Sequence, residues 1–349
     1  MNTVMISAEE EDFSEKLKEM GRILREGGLV AFPTETVYGL GGNALSAESA
    51  RKIYAAKGRP SDNPLIVHVA SSEEVPALVQ SVTPLQKKLM ETFWPGPLTI
   101  VFPKKDIIPS ETCGGLSTVA IRCPAHPATR ALIREAGVPI AGPSANISGK
   151  PSPTTAEDVL RDLGGRIDAI IDGGPCAVGL ESTIIACEGE HITLYRPGGI
   201  TIEMLEKFAP VSVDPAITGK TPTKEPPKAP GMKYRHYAPN APMTVYAGDV
   251  KKTEKILKDL AEKEKDAGFF VSEETAALLP KDRAIFIWGR RGDEATMARR
   301  LFAGLHYFDT HPVGAIYGEG TAPSGIGFAI MNRLTKATGY HIIVENAEE

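Results

Sequence analysis

The chain has 349 residues, 42% of them hydrophobic and 24% charged, too many for one ordinary core and a comfortable length for two domains of roughly 100–200 residues. No apolar run approaches the ~18 residues a membrane-spanning helix requires. The net charge of −5 is evenly spread, with 25 basic and 28 acidic side chains in residues 1–240 and 14 and 16 in 241–349. That excludes a polyanion-binding arm, so a phosphate-bearing ligand needs a local cluster of basic groups.

The first segment, MNTVMISAEEEDF, lacks the basic, apolar and small-residue regions of a secretion signal, which predicts a cytoplasmic protein. A first domain over 1–208 then alternates short apolar runs with helical patterns. The runs at 29–32, 65–69, 98–102, 118–122, 169–171 and 182–186 read as buried strands. Helices are predicted over 13–26, 47–57, 84–92, 127–136 and 155–163, with Ser46 and Thr154 as N-caps and Gly137 and Gly164 as left-handed exits. A mixed, twisted α/β sheet follows. Residues 209–240 read as a linker, with a Pro-, Lys- and Thr-rich stretch at 215–230. In 241–349, strands at 243–247, 268–271, 284–288, 314–317 and 341–344 alternate with helices at 251–265, 294–305 and 326–338, the pattern of a small parallel sheet covered on both faces. Cys113, Cys123, Cys176 and Cys187 form no C-x-x-C pair, so free thiols are expected rather than a zinc site or disulfide framework.

Several segments of the first domain carry polar groups suited to a ligand. FPTETVYGLG (32–41) runs a buried strand into a turn that presents Thr34, Glu35, Thr36 and Tyr38; those hydroxyls either satisfy the turn or bind a small polar ligand. In KGRPSDNPLIVHV (57–69), Lys57 and Arg59 fit a helix C-terminus, or converge on an anion, with Asn63 and His68 nearby. Arg122 ends an otherwise apolar strand in STVAIRCPAHP (117–127) and must meet either a ligand carboxylate or a structural acid. GPSANISGKPSPTTAEDV (142–159) places Ser144, Asn146, Ser148 and Ser152 on a glycine-punctuated loop able to surround phosphates, without the order of a Walker loop. ESTII (181–185) and YRPGGIT (195–201) follow. PGMKYRHYAP (230–239) packs basic and aromatic groups at the linker's end, as a segment closing over a ligand would.

In this order, FPTETVYGLG, the K-x-R-x-x-x-N-P-L of 57–65, PSAN (143–146), EST (181–183) and PGMKYRHYAP resemble the YrdC (TsaC) threonylcarbamoyl-AMP synthases in their long form. The resemblance spans the chain and implies a YrdC-like mixed sheet with flanking helices and a Rossmann-like C-terminal domain. It implies synthesis of threonylcarbamoyl-adenylate and pyrophosphate from L-threonine, bicarbonate and ATP, ahead of a downstream tRNA threonylcarbamoyl-transferase machinery. Thr36, His68, Arg122, Gly142 and Ser182 would hold threonine. Lys57, Arg59, Asn63, Thr118, Ser144, Asn146, Ser152, Arg196 and Tyr234 would hold ATP, with Lys57 and Arg59 catalytic and Mg2+ accompanying the nucleotide. No Ser-His-Asp, Cys-His or metal-ligand arrangement is evident, so placement and charge neutralisation are expected to carry the chemistry. An RNA-binding module is opposed by the overall acidity. A carbamoyl-adenylate-forming carbamoyltransferase would carry acylphosphatase and cysteine-rich zinc modules, which this chain lacks. The C-terminal domain has no G-x-G-x-x-G after its first strand, leaving its ligand unspecified.

Overall fold

The computed structural model describes residues 2–218, 227–230 and 236–346. They form two compact units, one drawn from Met1–Ser148, Ser152–Ala177 and Glu181–Tyr234, the other from Gly149–Pro151, Val178–Leu180 and Arg235–Glu349.

The first unit is built on β1 (Val4–Ser7), β2 (Val30–Phe32), β3 (Gly39–Asn43), β4 (Ile66–His68), β5 (Leu98–Pro103), β6 (Thr118–Arg122), β7 (Ile140–Gly142), β8 (Ala169–Asp172), β9 (Thr183–Glu188), β10 (His191–Arg196) and β11 (Val211–Val213). They form an 11-stranded sheet in the order β1-β8-β2-β3-β7-β4-β6-β5-β9-β10-β11. Parallel pairs such as β4/β6 and β5/β9 alternate with antiparallel ones such as β5/β6 and β9/β10, giving the mixed sheet. Helices Phe13–Arg25 and Pro127–Ala136 lay Leu17, Met20, Leu24, Leu132 and Ile133 against Val30, Phe32 and Ile171. The helical spacing of those apolar residues closes the core on that face.

Helices Ala47–Lys57 and Pro127–Ala136 have their predicted bounds, with Ser46 accepting from Ser49 N–H and Gly137 left-handed at φ 65°. Helix Ala156–Leu163 departs from expectation at both ends. Thr155, not Thr154, is its N-cap, because the Thr155 hydroxyl accepts from Asp158 N–H, whereas Thr154 gives its backbone N–H to the Asp158 carboxylate. Gly164 is extended (φ −53°, ψ 132°) rather than left-handed, its N–H closing the last turn on Leu160.

The linker expectation also changes at its beginning. Val211–Val213 pairs in parallel with β10, and Pro215–Thr218 adds a helical turn. Ala229 is fully buried in a core cluster with Ile66, Val101, Ala120, Ile184 and Ala186. These residues belong to the first unit because apolar side chains at 211, 213 and 229 have sheet surface to cover, which a free tether would not.

The second unit has β12 (Met243–Gly248), β13 (Ala267–Val271), β14 (Ala284–Ile287), β15 (Ala315–Glu319) and β16 (Ile342–Glu345), all parallel, in the order β14-β13-β15-β12-β16. Helices Val250–Lys263, Glu294–Thr310 and Gly325–Ala337 make the crossovers that parallel strands require. Leu257 and Ala261 pack on Phe269 and Val271. At the carboxyl ends of β13 and β15, Glu319 accepts from Ser272 N–H and Oγ–H and from Arg291, which also pairs with Glu254. This polar network satisfies itself internally.

Candidate active site

Strand register gathers part of the site at one edge of the first unit's sheet. His68 and Arg122 are direct partners at the ends of β4 and β6. Antiparallel pairing of β5 with β6, Ile100 opposite Ile121, brings Thr99 alongside Arg122, Thr99 faces Ile184 on β9, and Ile184 faces Arg196 at the end of β10. Ser182 lies just before β9. A single row across five strands therefore holds side chains from widely separated motifs.

Arg122 is the hub. Its Nε–H donates to Gly96 C=O at 3.3 Å and its Nη1 to the Thr36 hydroxyl at 2.8 Å. Thr34 spends its hydroxyl proton on Val37 C=O (2.6 Å), which leaves Thr36 to donate to Thr34 Oγ1 across 2.8 Å. The guanidinium thus ends a chain of hydroxyls that fixes the Thr34–Val37 turn, the first of the two roles expected for them. Arg122 Nη2 lies 2.7 Å from Glu35 Oε1, both side chains buried at 4% and 12% exposure. The alignment misses that of a hydrogen bond, and both atoms have no hydrogen-bond partner among the described residues. Glu35 Oε2 accepts from Ala125 N–H at 3.1 Å. Of the two partners expected for Arg122, this chain supplies a structural acid, and that acid lies within the FPTETVYGLG motif.

His68 is buried against Phe32 in an edge-to-face contact at 5.2 Å, its Nδ1 3.3 Å from Ile140 C=O. A carbonyl only accepts, so Nδ1 carries the proton and Nε2 is left as an acceptor. Burial, then the Arg122 charge, pushes the imidazole down to about 3, so it is neutral at physiological pH. On the neighbouring strands Ser182 Oγ is 2.7 Å from Thr99 Oγ1, and Arg196 donates to both the Ser182 carbonyl (3.0 Å) and its hydroxyl (3.1 Å). Arg196, expected among the nucleotide contacts, therefore stands beside Ser182. Ser152 donates to Glu181 at 2.6 Å in a buried pair.

The other polar groups lie toward the opposite ends of these strands. Thr118 opens β6, roughly 13 Å along the strand from Arg122, and is half-buried. Gly142 faces Ile66 at the start of β4, and Ser144 follows, bridged to Gly39. Asn63 is buried, its Oδ1 without a hydrogen-bond partner among the described residues, while its carbonyl accepts from Arg59 Nε (3.2 Å) and Tyr54 Oη (3.3 Å). Lys57 is 1% exposed at the end of its helix and donates to the carbonyls of Ser144 and Asn146. Burial, then the Arg59 charge, holds its ammonium well below the ordinary lysine range. Lys57 pins the PSAN loop to the helix end. Ser148 N–H returns to Lys57 C=O at 2.9 Å.

Residues 231–235 of PGMKYRHYAP, Tyr234 among them, lie outside the described residues. Sequence reasoning did not single out Thr99 or Glu181, and it gave Glu35 no role. Glu181 stood within the EST motif and Glu35 within FPTETVYGLG, whereas a threonine inside an apolar strand offers no signal for Thr99. Among the described residues no group of three or more His, Cys, Asp or Glu is placed to hold a metal ion, and no helix is long and apolar enough to cross a membrane.

Comparison with known proteins places the chain among enzymes that make an adenylate intermediate. Residues 22–198 match the Sua5/YciO/YrdC family, described as telomere recombination, and residues 200–339 match the threonylcarbamoyl-AMP synthase C-terminal domain. The threonylcarbamoyl-AMP synthase of Bacillus subtilis is 46% identical over 94% of both chains; that of Pyrococcus abyssi is 45% identical over 98% of this chain and 99% of its own. A crystal structure of Pyrococcus abyssi Sua5 complexed with L-threonine superposes with a TM-score of 0.90 at 42% identity, covering 99% of this chain and 100% of that one. The chain belongs to the threonylcarbamoyl-AMP synthase family, in its two-domain Sua5 form.

Proposed function

We propose that this protein condenses L-threonine, bicarbonate or carbon dioxide, and ATP into threonylcarbamoyl-AMP and pyrophosphate, the first step in threonylcarbamoyladenosine modification of tRNA, and that it works in the cytoplasm. The observation that carries this reading is the cluster of Thr36, His68, Arg122 and Ser182 at one end of the strands, in a chain 42% identical to a Sua5 crystallised with L-threonine.

The threonine amine, once deprotonated, captures carbon dioxide to give the N-carboxylate. One carbamate oxygen attacks the α-phosphorus of ATP, and the bond to the bridging oxygen breaks as pyrophosphate leaves. Arg122 takes the threonine carboxylate, and the His68 Nε2 acceptor takes the threonine hydroxyl. Ser182 stands beside them, and Gly142, opposite Ile66 at the other end of β4, contributes backbone. Arg59, Asn63, Thr118, Ser144, Asn146, Ser152 and Arg196 surround the nucleotide, and Lys57 places the loop bearing Ser144 and Asn146. Mg2+ arrives on ATP as part of the substrate. The rate advantage comes from placement and preorganised positive charge rather than a covalent intermediate. The first unit, with residues 211–213 and 229 packed into its sheet, is the catalytic domain, the PGMKYRHYAP segment brings Tyr234 onto the nucleotide, and 241–349 is a supporting domain.

Incubation with ATP, bicarbonate and L-threonine, followed by mass detection of the adenylate, tests the reading. Threonine-dependent pyrophosphate release should appear with the wild type and vanish in Lys57→Ala and Arg59→Ala. Adenylate formation without threonine, or full release in both variants, would refute it.

A further inference from the structure

Resting on the reading above, which gives Ser182 a place beside the bound substrate, we infer that Thr99 is a positioning residue for the reaction. It donates its hydroxyl proton to Ser182 Oγ and so turns the Ser182 hydroxyl into a donor for an acceptor oxygen of the substrate.

β5 carries a hydroxyl that the fold does not ask for. The strand reads LTIVFP, and its residues from Leu98 to Phe102 are all buried. Valine has nearly the shape of threonine and would bring no polar atom into that core. Thr99 is fully buried, and the one partner of its hydroxyl among the described residues is Ser182 Oγ, at 2.7 Å. Ser182 Oγ has one further partner there, Arg196 Nη2 at 3.1 Å, which only donates.

Two hydroxyls that share a single bond hold two protons, so one proton is left over. If Ser182 donated to Thr99, the spare proton would sit on Thr99, inside the sheet and without an acceptor. A buried donor left in that state is disfavoured by on the order of five- to a hundredfold in population. If Thr99 donates instead, both lone pairs of Ser182 Oγ are taken, one by Thr99 and one by Arg196, and a single tetrahedral direction remains for its own proton. The spare proton then belongs to the residue just ahead of β9, where the substrate can supply the missing acceptor. A hydroxyl set in this way meets an oxygen lone pair and rejects a donor such as an ammonium. It also needs no rotation when the substrate arrives, which is the advantage of a preorganised dipole.

The test is a double-mutant cycle on kcat/KM for L-threonine, read as pyrophosphate release by the full chain carrying Thr99→Val, Ser182→Ala or both. Thr99→Val should lower kcat/KM by about three- to tenfold, and Thr99→Ser should restore most of it. In a chain that already carries Ser182→Ala, Thr99→Val should change nothing further, because no hydroxyl is left to orient. Equal losses in the two backgrounds, or a Thr99→Val enzyme as active as the wild type, overturn the proposal and leave the reaction standing, since adenylate formation by the wild type is scored separately. A wild type that makes no adenylate removes the reading and this inference with it. Should Thr99→Val fail to fold, neutron diffraction from the deuterium-exchanged wild type decides. A deuteron on Thr99 pointing at Ser182 Oγ supports the proposal, and one on Ser182 pointing at Thr99 overturns it.

Discussion

At the level of single residues, His68 shows how burial turns a titratable group into a fixed one. Its imidazole is pushed down to about 3, against about 6.5 in an unfolded chain. The unfolded state therefore binds a proton between those values while the folded state does not. Stability from His68 is full above pH ~6.5 and is lost progressively as pH falls toward 3, by up to a few kcal/mol. Urea denaturation across pH 7 to 4 should show this decline in the wild type and a shallower one in His68→Asn; parallel profiles would contradict it. The site's residue types were legible in the motifs, but their pairings were not. Arg122 had to meet an acid or a ligand carboxylate by the cost of burying a guanidinium alone. That the acid is Glu35 depends on a turn folding back onto a distant strand end, which no local spacing encodes.

Among elements, the exit of helix Ala47–Lys57 binds backbone geometry to chemistry. Gly58 is left-handed at φ 61°, with its N–H turned back to the Tyr54 and Ala55 carbonyls, and it lies between Lys57 and Arg59. A Cβ there would meet nothing within 4 Å, so Gly58→Ala is penalised by conformation alone, about 1 kcal/mol. Gly58→Asn should cost less, because asparagine tolerates this region. Denaturant midpoints of the two variants check the order, and equal losses would point to a steric cause instead. This helix was readable from its cap, its period and its terminal glycine. β3 was not, because GLGGN carries the composition of a turn; a Cβ at Gly39 would lie 2.4 Å from the Phe32 ring, so close packing rather than turn geometry demands glycine. β10, HITLYR, alternates half-buried and buried along its length and was open to a period-two reading. β11 and β1 are short edge strands whose pairing comes from the sheet they join.

For the molecule as a whole, length foretold two units, and the change of pattern to regular strand–helix alternation foretold the parallel sheet of the second. What it misplaced was the end of the first, because a Pro- and Lys-rich stretch reads as tether whether or not it packs. Ala229 decides the matter physically: it is fully buried against Ile66, Val101, Ala120 and Ile184, and Asp214 N–H donates to Leu194 C=O at 2.9 Å beyond β11. A carboxylate at position 229 would have to enter that apolar cluster unpaired or expel the segment, and expulsion is the cheaper course. Ala229→Glu in the full chain should therefore lower the stability of the first unit by about 2 kcal/mol or more, with the second unit's unfolding unchanged. Pyrophosphate release should fall further than the stability loss explains, since residues 227–230 lead directly into the PGMKYRHYAP segment proposed to meet the nucleotide. Full activity at a temperature where the variant is still folded would show that the buried Ala229 anchors the sheet without serving that segment.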